Sequence, residues 1–192
     1  MAKIYVKKTG NDTTGTGTSA NPYLTINKAY NVAINGDEIL IGAGTYQEYI
    51  KIEKGIKLRA DDGLTASQVI LDGNNYTLPN YVDRPGGTLN GNTYYDFTYK
   101  GLIDIWASNV EIKNITIQYS KGRGIYIFSQ AGNSGRWNNI LLDNVIIKHC
   151  RHAAGVSQYA DNVVIKNCQS DDTGNYAPFS RSPVGVNGLN WP

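Results

Sequence analysis

The sequence predicts an all-β solenoid, a coil of short parallel strands with one short α-helix near its start. Three observations carry this: a repeat with a base period near 23 residues, strands of three to five residues rich in Ile and Val, and Asn or Gly at the corners between them. Periods of this size mean a stack of similar units, each unable to bury its apolar face alone.

The repeat is clearest after Gly101. Asn109-Val-Glu-Ile-Lys-Asn114-Ile-Thr-Ile alternates apolar and polar between two asparagines, and Asn139-Ile-Leu-Leu-Asp-Asn144-Val-Ile-Ile repeats it 30 residues later. Asn162-Val-Val-Ile-Lys-Asn167-Cys-Gln-Ser follows after 23 more. A second mark, glycine before an apolar residue, falls at Gly101, Gly124, Gly155 and Gly185 with spacings of 23, 31 and 30. A period near 23 with insertions of about seven residues accounts for both series. The leucine consensus of leucine-rich repeats is absent, as are the long 3.6-period segments of helical repeats. Alternation within short β-branched runs instead predicts parallel strands about 4.8 Å apart. Asparagine suits the corners because it tolerates left-handed backbone and bonds the turn. Asn114, Asn144 and Asn167 are expected at equivalent corners, their amides bonded to one another or to the turns.

The first third precedes the clear repeat. Gly10 to Asn21 reads as a loop. Pro22 to Ile34 follows as PYLTINKAYNVAI, where Leu24, Ala29, Val32 and Ala33 fit helical spacing. GDEILIGAGTY, QEYIKI, GIKLRA and QVILDGNN supply short strands. Between Tyr76 and Lys100 the rhythm breaks, with Pro79, Pro85, a glycine pair and the cluster Tyr94, Tyr95, Phe97 and Tyr99. A stretch of this kind predicts an excursion from the scaffold. The domain therefore divides into an N-terminal cap module (1–36), first coils (37–75), an inserted loop (76–100) and repeated coils (101–192).

Composition narrows the function. Hydrophobic residues are 41% and charged residues 18%, with a formal net charge of +2. The basic residues are scattered, which argues against nucleic acid as a partner. No apolar run approaches the roughly 18 residues of a membrane span. Met1-Ala2-Lys3 leads directly into Ile4-Tyr5-Val6, with no signal-peptide core. The expected location is extracellular after loss of a leader, or a virion released by lysis. Cys150 and Cys168 lie 18 residues apart and read either as two buried thiols or as one disulfide.

With these motifs in hand, the chain resembles the pectate-lyase-like right-handed parallel β-helix superfamily. The opening string IYVKKTGNDTTGTGTSANPYLTINKA, the Gly-Asp strand and Gly-Thr-Tyr turn, the coils YIKIEKGIKLRA and VILDGNN, and the asparagine repeats carry the resemblance. It implies a right-handed parallel β-helix with a short N-terminal capping helix. It also implies a polysaccharide or cell-surface glycan as partner, since the superfamily includes polysaccharide lyases, glycoside hydrolases, epimerases and phage tailspike-type proteins.

Candidate site residues follow from the chemistry. A lyase must neutralise a uronate carboxylate and remove the C5 proton, so it needs a cation beside a base; Arg151 and His152 are that pair. Asp171 and Asp172 supply paired carboxylates for acid–base work or for calcium, the one candidate ion. Tyr126 and Trp137, with Tyr94 and Tyr95 as a wall, offer rings for stacking on sugars. The segment from Gly185 to Pro192 reads as the start of a further coil, so the chain is expected to be the N-terminal part of a longer one. Two function classes stand open. One is an enzyme acting on polysaccharide, a lyase of acidic glycans before a hydrolase. The other is a non-catalytic virion component, with a homotrimer expected in that case.

Overall fold

Alternating Ile, Val and Leu residues build short parallel strands, and their inward side chains fall into register from strand to strand. In the computed structural model, the described residues are 1–74, 84–89, 92–96, 101–127, 137–150, 152–156, 160–171, 179–180 and 186–187. The elements run β1 (Lys3–Val6), α1 (Ile26–Val32), β2 (Glu38–Ile41), β3 (Gly44–Tyr46), β4 (Ile50–Ile52), β5 (Lys57–Ala60) and β6 (Val69–Asp72). They continue with β7 (Arg84–Leu89), β8 (Asn92–Asp96), β9 (Gly101–Ile105), β10 (Val110–Gln118), β11 (Arg123–Ile127) and β12 (Trp137–Lys148). Last come β13 (His152–Val156), β14 (Ala160–Lys166), β15 (Gln169–Asp171), β16 (Phe179–Ser180) and β17 (Val186–Asn187).

Two parallel sheets dominate. The larger runs β1-β2-β5-β10-β12-β14-β17, with β3, β6 and β15 joined to its longer strands, and the smaller runs β4-β9-β11-β13-β16. Asn114 in β10 and Asn144 in β12, with φ of 55° and 52°, divide those strands into two arms. The first arm of β12 pairs with β14 and the second with β15, while pairing to β10 resumes in step across the bend, from Lys113↔Asp143 to Ile115↔Val145.

Register makes the core. Ile4, Ile39, Leu58, Ile112, Leu142 and Ile165 form one column through six strands, and all are buried. Ile50, Ile103 and Ile125 form another in the smaller sheet, beside Ile52, Ile105 and Ile127. Each such side chain contributes about 1.5–3 kcal/mol on burial. Cys150 fills an inward corner, where burial pushes its thiol up to about 12, and both cysteines are free.

The corners carry two asparagine ladders. Asn144 Nδ2 donates to Asn114 Oδ1 at 3.0 Å. Asn167 departs from the expected ladder, because its amide reaches Asp143 Oδ1 at 2.9 Å instead of Asn144. The asparagines that open each repeat form a second ladder, Asn162 to Asn139 at 2.6 Å and Asn139 to Asn109 at 3.1 Å. Outside the same arm, Asp143 sits between Lys113 and Lys166 at 3.4 and 3.5 Å.

The N-terminal end is tied down by its own loop. Tyr5 N donates to Gly17 O, Tyr23 N to Tyr5 O and Lys7 N to Tyr23 O, which occupies the β1 edge that would otherwise invite another strand. Helix α1 is shorter than Pro22 to Ile34, because Tyr23 pairs with Val6 as extended chain and Thr25 is the N-cap. The residues flanking β4 hold both helix ends. Glu48 accepts from Ile26 N and Asn27 N at 2.9 and 2.8 Å, and Lys54 Nζ donates to Ala33 O at 2.8 Å and Tyr30 O at 3.1 Å. These are the orphan groups a helix leaves at its ends. Strands β7 and β8, within the expected insertion, pair antiparallel as a separate two-stranded sheet.

Two outcomes test the corners. Asn144→Ala should lower the unfolding free energy by about 1–3 kcal/mol in denaturant titration, since Asn114 loses its partner and alanine is strained at this φ. Burial of Asp143 works against its charged form, but the Asn167 amide and the Lys166 and Lys113 ammoniums outweigh it and hold the carboxyl below its ordinary value. A depressed folded pKa contributes stability above the unfolded carboxylate range and loses it as pH falls through the folded value. Asp143→Asn should therefore cost about 1 kcal/mol at neutral pH, the two lysines being well solvated, and should flatten the acid limb of the stability curve.

Candidate functional site

The pairing of β4 with β9 sets Ile52 beside Ile105, so the next residues, Glu53 and Trp106, leave the smaller sheet side by side. Trp106 N donates to Ile52 O at 2.7 Å and fixes that exit. One strand further on, Asn109 N donates to Asn138 O at 2.9 Å and Asn138 N to Ser108 Oγ at 3.0 Å, which seats Trp137 beside the same corner. Gly55 lets the β4–β5 turn approach closely, because a Cβ there would lie 2.7 Å from Ser108 O. The result is an open lateral groove of about 670 Å³ that brings Trp106 and Trp137 together, with Glu53, Lys57 and Asn109 among its other walls. This is the size range of small-ligand sites.

Among the described residues, two lysines near the groove lie close to a carboxylate. Lys51 Nζ lies 2.6 Å from Glu53 Oε1 and 4.6 Å from the Trp106 ring centroid. Lys57 Nζ lies 3.6 Å from Glu111 Oε2. The groove therefore brings two indole rings, Trp106 with Lys51 over one face and Trp137 packed in part on the core, to a rim of amide, hydroxyl and carboxylate groups, a combination suited to a sugar.

Next to it, the outward face of the smaller sheet carries a buried carboxylate. Asp104 is 1% exposed, and it accepts from Tyr49 Oη at 2.7 Å and Gly101 N at 2.6 Å. It stands in one outward column with Lys51 and Tyr126. Sequence reasoning missed Asp104, Trp106 and Glu53 as neighbours. The available signal was Asp104 itself, one carboxylate in the apolar strand Gly-Leu-Ile-Asp-Ile.

The expected site residues fall in different places. Trp137 lines the groove. Tyr126 points outward as expected but is only 7% exposed, with the Arg123 guanidinium 5.4 Å from its ring centroid, so its ring is covered and offers no open face to a sugar. Tyr94 and Tyr95 lie in β8, opposite Gly87 and Pro85, and their side chains lie outside the described residues. His152 opens β13 in register with Arg123. Asp171 is exposed and ends β15, and its carbonyl accepts from His149 N at 3.1 Å. That bond sets Asp171 one strand on from the corner leading to His152, and on a different corner from the groove. Arg151 and Asp172 lie outside the described residues, so half of the proposed calcium pair does too. Among the described residues no group of three or more His, Cys, Asp or Glu could hold a metal ion, and no helix is long and apolar enough to cross a membrane.

Residues 8–64 match a family described as "Protein of unknown function (DUF1565)". A search of curated proteins finds no match. Among solved structures, a GH136 lacto-N-biosidase from Eubacterium ramulus superposes with a TM-score of 0.66 at 13% identity, over 90% of this chain and 34% of that one. A rhamnogalacturonan lyase gives 0.56 at 12% identity, over 88% and 51%. XylC in complex with xylose gives 0.55 at 14%, over 87% and 53%. These superpositions show a parallel β-helix fold for the chain. It spans about a third of the lacto-N-biosidase and about half of the other two. At these identities the likeness establishes the β-helix fold, while activity has to be argued from the site.

The buried carboxylate gives a test of this part of the β-helix. Tyr49→Phe should lower the unfolding free energy by about 1–3 kcal/mol, because Asp104 loses a hydrogen-bond donor in a desolvated place. Denaturant midpoints compared at equal slope would measure it.

Proposed function

We propose that the chain is a right-handed β-helix, capped at its N-terminal end by α1, that takes a polysaccharide along the groove of Trp106 and Trp137. The observation that carries this reading is the convergence of the two tryptophans, 31 residues apart in sequence, on one open groove. Indole rings bury large apolar area against a sugar face while the rim meets its hydroxyls. The carbohydrate-active enzymes among the structural neighbours support the same reading, and no observation favours the virion reading. In this account the β-helix of this chain belongs to a carbohydrate-active enzyme.

Trp137→Ala should weaken oligosaccharide binding by about tenfold or more, the loss of one stacked ring being worth about 1–2 kcal/mol. Isothermal titration against oligosaccharides of plant and bacterial type would measure it, with circular dichroism as a check on folding. Equal affinity in a folded variant would remove the groove from the function.

A further inference from the structure

We infer that the groove holds a linear, extended glycan lengthwise, its chain parallel to the axis of the β-helix, with about one sugar to each strand passed. This rests on the groove being the glycan site at all. Strands β2, β5, β10 and β12 are consecutive neighbours in the larger sheet, and Glu38, Lys57, Glu111 and Leu141 form one register row across them. Gly36, Gly55 and Asn109 each stand two residues before that row, and Glu53, Ala107 and Trp137 each stand four before it. All six line the groove. The lining is therefore one corner taken from four strands in succession, and the groove runs across the strands along the stacking direction.

Parallel strands repeat about every 4.8 Å, so these four span roughly 14 Å. The floor stays low on the way. Gly36 and Gly55 bring no side chain, and they approach their neighbours closely: Gly36 N donates to Gly55 O at 2.7 Å, and a Cβ on Gly55 would lie 2.7 Å from Ser108 O. A Cβ on Gly36 would meet nothing within 4 Å, so the groove is open at the β2 corner. In the second line, Ala107 sets only a methyl group between Glu53 and Trp137. A pyranose in an extended chain advances by about the spacing of these strands, so successive sugars meet successive corners. The indoles hold the end over β10 and β12, and Glu53 and Lys57 meet hydroxyls on the way to β2. A glycan that curls after a few sugars leaves this line and gives up the β2 end.

The test is isothermal titration of the parent with cello- and xylo-oligosaccharides of increasing length, set against malto-oligosaccharides, whose α-linkages curl the chain. In the extended series that binds, affinity should rise about tenfold from disaccharide to tetrasaccharide, and the malto series should gain less than about threefold. Gly36→Asn supplies a second arm. It puts a side chain into the groove at the β2 corner, at a positive φ that asparagine tolerates. With folding checked by circular dichroism, it should cut the advantage of the tetrasaccharide over the disaccharide to less than about threefold. Trp137→Ala should weaken both lengths together. A disaccharide that binds as tightly as the tetrasaccharide would overturn the lengthwise placement and leave the groove as a glycan site. A malto series that gains as much as the extended ones would do the same, and so would a tetrasaccharide advantage that a folded Gly36→Asn leaves intact. Absence of binding in every series would overturn both, as would binding that Trp137→Ala leaves unchanged.

Discussion

An asparagine held in left-handed backbone conformation at the same two places in successive turns of the chain is the constraint on which the rest depends. Asn109, Asn139 and Asn162 hold one bend, and Asn114, Asn144 and Asn167 the other, all with φ between 49° and 60°. Most L-residues pay for that conformation through the clash of Cβ with the backbone, and asparagine is among the few that visit it readily. Each bend turns the chain without interrupting parallel pairing. Because side chains alternate with a period of two, a slip of one residue at any bend would carry the Ile and Leu columns to the solvent side. The amide ladders resist that slip, since each asparagine is bonded to a polar side chain one strand away.

The groove is a consequence of the same register. Glu53, Trp106 and Trp137 are far apart in sequence, yet they sit on neighbouring turns of the chain because β4 pairs with β9 and the Ser108–Asn109 corner bonds Asn138. Nothing local to any of the three would bring them together. The electrostatics follow as well. Charged side chains on outward positions fall opposite one another from strand to strand, and the protein pairs them, as in Lys57–Glu111 and Lys113–Asp143–Lys166.

What the sequence made legible is what the repeat encodes. The N-φ-x-φ-x-N pattern revealed the parallel strands and the asparagine corners. The misses have physical causes. Tyr126 was expected as an open ring for a sugar, but its ring is covered, and covering depends on packing from outside the strand. The helix appeared too long because Leu24 fits its spacing, while Tyr23 before it is taken by a pairing with Val6. The hold of Glu48 and Lys54 on the two ends of α1 spans 21 to 24 residues and has no periodic signature. Asp104 was one carboxylate among many, and its burial beneath Tyr49 requires a hydrogen bond to a residue 55 positions away.

Trp106 and Trp137 are two of only three tryptophans in the chain, which makes indole fluorescence a direct report on the groove. The decisive measurement is the accessibility of these indoles to acrylamide as a saturating oligosaccharide is added. The account predicts reduced quenching and a blue-shifted emission on binding, with the change largely abolished in a folded Trp106→Phe, Trp137→Phe double variant. A glycan that binds while quenching and emission stay as they were would place its site elsewhere on the β-helix and contradict the account.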